Sequence, residues 1–532
     1  MKRFLSSIII IAVLCFLSYA EKDFNHLTTM NGDSIGDRFI KLSSGGDVNG
    51  DGHDDLLIGA PGGNYVKLYY GGSDFDTIPD LVFESKRYDH FGSDITLEGD
   101  INSDGYDDVI IGASAYNHGN IYDAGRVNIY FGGPDIDTVS DRELIVANGE
   151  ESIGWYCYFG SSISCEGDLN NDNHNDLIVS APNKEPWGKA YIYYGGPNID
   201  SNYDKRLSQG FGPGSEPFGG EIDYVGDINK DSCDDIIIGT CDSHPGRAYL
   251  VYGDNSNICL DSATVFKGDT SYSESYFGRY VSGLGDVNGD GYQDIGVIGG
   301  DYAEIISGKS LSTAKQIAAD TSHYGDFYSI TGGKDINGDK IQDFIIGSAS
   351  ADKYGINYGG TANIFAGKNN IESIPDYTIK GKNSLHYFGI EIEYLGDINN
   401  DGNIEVAISE IKDLETPGSV YIYTFGEADA IENSSQKNSG YNLEQNYPNP
   451  FNSATNIRYF VPSRSKVRVT IYNIIGQKIK TLESTYKNSG SHLTIWKGRD
   501  KEGKLVPSGI YYYKLSTLKR ALLSTKKMIY LK

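Results

Sequence analysis

One phrase returns seven times along this chain: "GDVNGDGHDDLLIGAP" from Gly46, "GDINSDGYDDVIIGAS" from Gly99, "GDLNNDNHNDLIVSAP" from Gly167, "GDINKDSCDDIIIGT" from Gly226, "GDVNGDGYQDIGVIGG" from Gly285, "KDINGDKIQDFIIGSAS" from Lys334 and "GDINNDGNIEVAISE" from Gly396, at intervals of 49 to 68 residues. Recurrence at that period marks a repeat architecture, in which each unit buries its apolar faces only against its neighbours. Every copy sits in one frame. An aromatic-Gly pair precedes it, as at Phe91-Gly92, Phe159-Gly160, Phe218-Gly219, Phe277-Gly278 and Phe388-Gly389, and an alternating run ending near glycine follows, as in "VKLYYGG", "VNIYFGG", "AYIYYGG", "AYLVYGD" and "VYIYTFG".

About four short β-branched and aromatic runs per repeat, separated by Gly, Asn and Asp turns, predict a four-stranded antiparallel blade. Seven blades predict an all-β fold, a seven-bladed β-propeller. Blade seven lacks an outer strand of its own, because "VYIYTFG" runs directly into a polar stretch. The pattern "FNHLTTMNGDSIGDRF" near the start matches the outer strands before other blades, so residues 25–30 are expected to complete blade seven and remove an open sheet edge. The phrase "FG…GD(V/I)N.DG..D…GAP" resembles the FG-GAP repeat of integrin alpha-subunit propellers and of related bacterial surface proteins, and covers about residues 22 to 430. That resemblance implies an extracellular adhesion or ligand-binding module.

The aspartates of the phrase carry the chemistry. In the first copy Asp47, Asn49, Asp51 and Asp55 occupy positions one, three, five and nine, with His53 at seven able to offer its carbonyl and Gly52 at six permitting the sharp turn. Several carboxylates so close stay ionised together only around a cation, and hard oxygen donors select Ca²⁺. The same positions are Asp100, Asn102, Asp104, Tyr106 and Asp108; Asp168, Asn170, Asp172, His174 and Asp176; Asp227, Asn229, Asp231, Cys233 and Asp235; Asp286, Asn288, Asp290, Tyr292 and Asp294; Asp335, Asn337, Asp339, Ile341 and Asp343; and Asp397, Asn399, Asp401, Asn403 and Glu405. Up to seven calcium ions are expected. Position twelve is apolar every time, where an EF-hand needs glutamate, so these are strand-to-strand hairpins. Asn173 replaces the position-six glycine in the third loop, Ser232 in the fourth and Lys340 in the sixth; the last two loops are the weaker matches.

At the N-terminus Lys2 and Arg3 precede a short apolar run and the small-residue end "SYA", so residues 1–20 read as a secretory signal peptide. Cys15 lies inside it, and Leu14 speaks against a lipid-attachment cysteine. Five later cysteines are too few for a disulfide framework, although Cys157 with Cys165 or Cys233 with Cys241 is an expected local pair.

From Lys437 onward 18 Lys and Arg stand against 4 Asp and Glu, and before it 27 stand against 69. So acidic a body repels phosphate backbones and excludes nucleic acid as a partner. Residues 431–440 are polar and read as a linker between a propeller at 21–430 and a second unit at 441–532. The tail alternates strands with Gly and Pro turns, predicting a small β-sandwich. Its runs "NYPNPFN" and "G..VPSGIYYYKL" are similar to the C-terminal sorting domain of bacterial type IX secretion cargo, which implies the type IX machinery as a partner and export through the periplasm to the cell surface or medium of a Gram-negative-type bacterium.

The leading functional expectation is a surface or secreted module binding an extracellular protein or glycan through the face opposite the calcium hairpins, where Tyr116, His118, Trp155, Tyr156, Phe211, Tyr272 and Tyr324 fall. The rival is a polysaccharide lyase or hydrolase built on the propeller. It needs convergent acid and base groups in one pocket, and no triad order, phosphate loop or zinc spacing appears in the sequence.

Overall fold

The computed structural model describes residues 22–531 apart from 86–87, 147–156, 183–187, 209–217, 241–244, 256–257, 270–275, 301, 319–326, 350–358, 383–385, 412–415, 428–441, 444–445, 447–448, 450, 462–464, 474–477, 489 and 518–523. The expected signal peptide, the linker at 431–440, Cys241 and five of the seven aromatics named above (Trp155, Tyr156, Phe211, Tyr272, Tyr324) lie outside the described residues. The chain separates into two compact units, Met1–Ala428 and Asp429–Lys532.

The first unit is seven sheets of four antiparallel strands each. Blade two is typical: Phe91–Thr96 innermost, then Val109–Ala113, Arg126–Tyr130 and Arg142–Leu144 outermost, paired in chain order. The second strand of a blade is buried on both faces, which is why the phrase ends in an unbroken apolar run such as Leu56–Ala60. Inner strands of successive blades lie side by side and the seventh lies against the first, so the ring closes. Its core runs between blades. Leu57, Val66 and Leu68 of blade one pack on Phe91, Ile95, Val109 and Ile111 of blade two. Leu395, Ala407 and Ile422 of blade seven pack on Leu42, Leu56 and Ile58 of blade one.

Closure is covalently staggered, as the sequence predicts. Lys22–Asn31 is the outer strand of blade seven and pairs antiparallel with Ser419–Glu427, Phe24 opposite Phe425 and Asn31 opposite Ser419. The strand is longer than the expected 25–30, and a bulge between His26 and Thr28 keeps its apolar side inward across the added length.

The two halves of the repeat phrase complement each other across each blade boundary. Phe159 is fully buried, and Gly160 after it turns at φ 85°. A Cβ on Gly112, in the preceding blade, would lie 2.2 Å from the Gly160 carbonyl oxygen. Main chain meets main chain there, so neither residue tolerates a side chain.

The second unit is a β-sandwich. One sheet holds Asn442–Leu443, Thr455–Val461 and Gly490–Trp496; the other holds Lys478–Lys487, Ser465–Asn473, Gly509–Thr517 and Ser524–Tyr530. Ile457, Tyr459 and Trp496 of the first pack on Val467, Val469, Tyr513 and Leu515 of the second.

Neither expected cysteine pair forms, because Cys165 and Cys233 are buried free thiols; Cys259 is free as well.

Candidate functional site

Each aspartate loop joins the first strand of a blade to its second, and all seven fold alike. Position one gathers main-chain N–H groups. Asp47 Oδ1 accepts from Gly50 and Asp51 at 2.8 and 3.0 Å, and Oδ2 accepts from Gly52 at 2.7 Å. The last contact recurs from Gly105 to Asp100, Asn173 to Asp168, Ser232 to Asp227, Gly291 to Asp286, Lys340 to Asp335 and Gly402 to Asp397. In five loops position three accepts from position five, as Asn49 does from Asp51, and in all seven position five accepts from position seven, as Asp51 does from His53. Asp47 Oδ1 uses both lone pairs in this way, while Asp47 Oδ2 and Asn49 Oδ1 each keep one over.

Position nine closes the loop from beneath. Asp55 accepts from Val48 N–H at 3.0 Å and from Gly71 N–H at 2.8 Å, and it is fully buried. Burial pushes its carboxyl up to about 7, with repulsion from Asp51 and Asp47 adding to it. The same cause, with the same two loop carboxylates adding, lifts Asp108 to about 8 and Asp176 to about 7. Burial likewise holds Asp235 and Asp294 near 7 and Asp343 near 6.

Two of the loops hold acceptors with nothing to accept from. Both carboxylate oxygens of Glu405 and the Oδ1 of Asn170 are buried without a hydrogen-bond partner. Glu405 is one methylene longer than the aspartates at its position, and burial lifts its carboxyl to about 7. Buried oxygens left so are costly unless a cation takes them. The donor set, all oxygen, fits a hard ion such as calcium. Among the described residues no three His, Cys, Asp or Glu side chains converge on one point, so such an ion would depend on asparagine and main-chain carbonyl oxygens as well.

Two position-seven side chains reach a neighbouring loop, while Asn403 turns back to donate to Asp401 of its own. His174 meets Ser103 of the preceding loop, and the Tyr292 ring lies 3.6 Å beneath Lys230 Nζ of the loop before it. Only the main chain of position seven is free for the ligand role assigned from spacing.

The ring encloses a channel of about 460 Å³ that sequence reasoning missed. Alternate residues of the inner strands face it. Six residues before the seven loops stand Lys41, Asp94, Ser162, Glu221, Tyr280, Ser329 and Glu391, and nearer the loops come Asp223, Glu393, Glu98, Glu166 and Lys334. Lys41 Nζ lies 3.2 Å from Glu391 and 3.5 Å from Asp94. Neighbouring inner strands are bridged by these side chains: Asp94 accepts from Ile163 N–H, Asp223 from Gly283 N–H, and Ser43 from Leu97 N–H. Burial raises Asp94 to about 6 and both Glu221 and Asp223 to about 8. The signal was present, as polar residues at fixed offsets before each loop, yet in one strand it reads as ordinary alternation.

On the opposite face Tyr116 lies 4.3 Å beneath the Arg126 guanidinium, which also pairs with Asp89 and Glu143. Tyr116 is therefore packed filler rather than an open contact. His118 is tied by a bridge to Ile121.

The FG-GAP repeat model matches residues 41–73 and 91–130, and the FlgD Ig-like domain model matches 452–520. Among solved structures, BBS1N in complex with ARL6DN aligns with a TM-score of 0.48 at 9% identity, over 76% of this chain and 98% of that one. Integrin alpha-5 of Xenopus laevis is 31% identical over 206 residues, covering 36% of this chain and 19% of its own. Integrin alpha-8 of Mus musculus is 29% identical over 220 residues, 39% of this chain and 20% of its own. Integrin alpha-2 of Bos taurus is 32% identical over 176 residues, 31% and 15%. This chain thus spans about a fifth or less of the length of those relatives. Seven four-stranded blades, FG-GAP matches in the first two and integrin alpha similarity together make the first unit an integrin-like β-propeller.

Proposed function

We propose that the protein is an exported, calcium-stabilised propeller that binds an extracellular protein or glycan, an adhesion module carried to its place by the C-terminal sandwich. The observation that carries the calcium part is the shared fold of all seven loops, with buried oxygens at Glu405 and Asn170 left for a cation. Calcium, when bound, would supply positive charge to a strongly acidic ring. The chain's own residues hold the loop shape through main-chain donors to Asp47 and its six counterparts. Similarity to integrin alpha subunits supports adhesion, and no described helix is long and apolar enough to cross a membrane. The sorting role of the tail rests on its "NYPNPFN" and "VPSGIYYYKL" runs and its basic charge.

Screening the chain from residue 21 on glycan arrays and in pull-downs from extracellular matrix tests the binding role. Calcium-dependent capture of a defined glycan or protein is expected, and a chain ending at residue 428 should be retained in the periplasm of a host with the type IX apparatus. Equal surface appearance of both lengths would refute the address.

The channel favours one second reading. Carboxylates at Asp94, Glu221 and Glu391 around Lys41 are the paired acids a polysaccharide hydrolase or lyase needs. Release of reducing ends or unsaturated products from acidic polysaccharides, lost in Glu221→Gln, would establish it.

A further inference from the structure

Position eight of each loop was given no role by the ligand spacing, and at three of the seven loops, through Asp107, Asp234 and Gln342, its side chain reaches the loop one blade earlier. The Asp107 carboxylate, at position eight of the second loop, accepts the N–H of Asp47 in the first at 2.8 Å, while Asp107 N–H donates to the Asp47 carbonyl at 3.4 Å. Asp234 does the same to Asp168, at 2.9 Å in both directions. Gln342 takes the N–H of Asp286 on its side-chain oxygen and donates to the Asp286 carbonyl at 3.4 Å. In each case the residue clasped is the first ligand of the loop one blade earlier. A further bond runs the same way, from Gly133 N–H to the Val48 carbonyl at 2.7 Å and from Gly196 N–H to the Ile101 carbonyl at 2.7 Å.

The clasp adds to the crowding at the glycine before the first aspartate. A Cβ on Gly46 would sit 2.2 Å from the Leu97 carbonyl oxygen and 3.0 Å from Asp107 Cβ, and one on Gly396 would sit 2.3 Å from Asp54 Oδ2. The one loop without that glycine has Lys334 in its place, and position eight of the loop after it is Ile404, which has no polar group to offer. Both halves of the clasp change together at the same junction.

We propose that Asp107, Asp234 and Gln342 are positioning residues for the calcium sites of the preceding blades, so that these neighbouring sites are coupled in one direction round the ring. This rests on reading the loops as calcium sites. Holding both main-chain polar groups of the first ligand fixes where its carboxylate points, and loss of such an outer partner typically weakens a metal site about 10–100-fold.

The test is equilibrium dialysis of the chain from residue 21 with Ca²⁺, at free calcium near the wild-type midpoint, on variants whose circular dichroism in chelator matches wild type. Asp107→Leu should lose about half an ion per chain, the half-occupied first site falling to a tenth or less, and Asp107→Asn, which keeps an acceptor oxygen, should retain it. In an Asp51→Ala background, where the first site is already removed, Asp107→Leu should cost nothing more. In an Asp104→Ala background, where the second site is removed, it should cost the same half ion. The reverse pattern would place Asp107 in its own loop and overturn the proposal, as would unchanged binding by Asp107→Leu. A wild-type chain that binds no calcium would instead bring down the calcium reading itself.

Discussion

Position six shows how far a single residue is legible. The 1-3-5-9 spacing of oxygens predicts the loop from chemistry alone, and glycine at six in four copies predicts its turn. Ser232 and Lys340 looked like weaknesses, yet they take φ 78° and 75° and donate to Asp227 and Asp335 as the glycines do. The main-chain pattern imposes the turn whatever residue fills it, at a cost of about 1–2 kcal/mol for a left-handed non-glycine residue. Lys340→Gly should therefore stabilise the chain by about 0.5–1 kcal/mol, glycine's greater unfolded freedom offsetting part of the gain. Thermal melts in chelator measure it, and a lower melting temperature would show the strain to be absent. Position eight escaped the sequence reading because its partner lies in another blade, and spacing within one loop is blind to that.

Strands were the most legible elements, because turn residues punctuate them and the repeat supplies seven versions of each. Even the closing strand was visible, since "FNHLTTMN" repeats the outer-strand pattern although it lies some 390 residues from its partner. What stayed hidden was set by the third dimension. The inner strands of neighbouring blades share no ladder, so Ser43, Asp94 and Asp223 bridge them, and nothing in a single strand's alternation announces that. Removing residues 22–31 should strip the outer strand from Ser419–Glu427, expose its edge and uncover Tyr377 and Phe425, on which Phe24 packs. The loss should appear as a lower melting temperature and lost hydrogen-exchange protection in blade seven. A shortened chain that melts like the full one would place ring closure elsewhere.

Charge is the property of the whole molecule that decides most. The channel carboxylates Glu221 and Asp223 are held protonated up to about 8 by burial, against an unfolded range near 4. Between those values the folded chain binds more protons than the unfolded one, so their contribution to stability is present at low pH and is lost as pH rises toward 8. Asp223→Asn should accordingly raise the melting temperature at about pH 8.5 and change it little at about pH 4. An equal effect at both would show that Asp223 does not carry the dependence. The loops around the rim hold the same surplus of negative charge, and there the remedy proposed is a cation. One site stabilises the folded state by about 2.7 kcal/mol at a free concentration of a hundred times its dissociation constant, which for a unit this large is about 3 °C per occupied site. The decisive measurement is the melting temperature of the chain from residue 21 in millimolar calcium and again in excess chelator. Calcium sites in most of the seven loops predict a fall on the order of 10–20 °C on chelation, and an unchanged melt would contradict them.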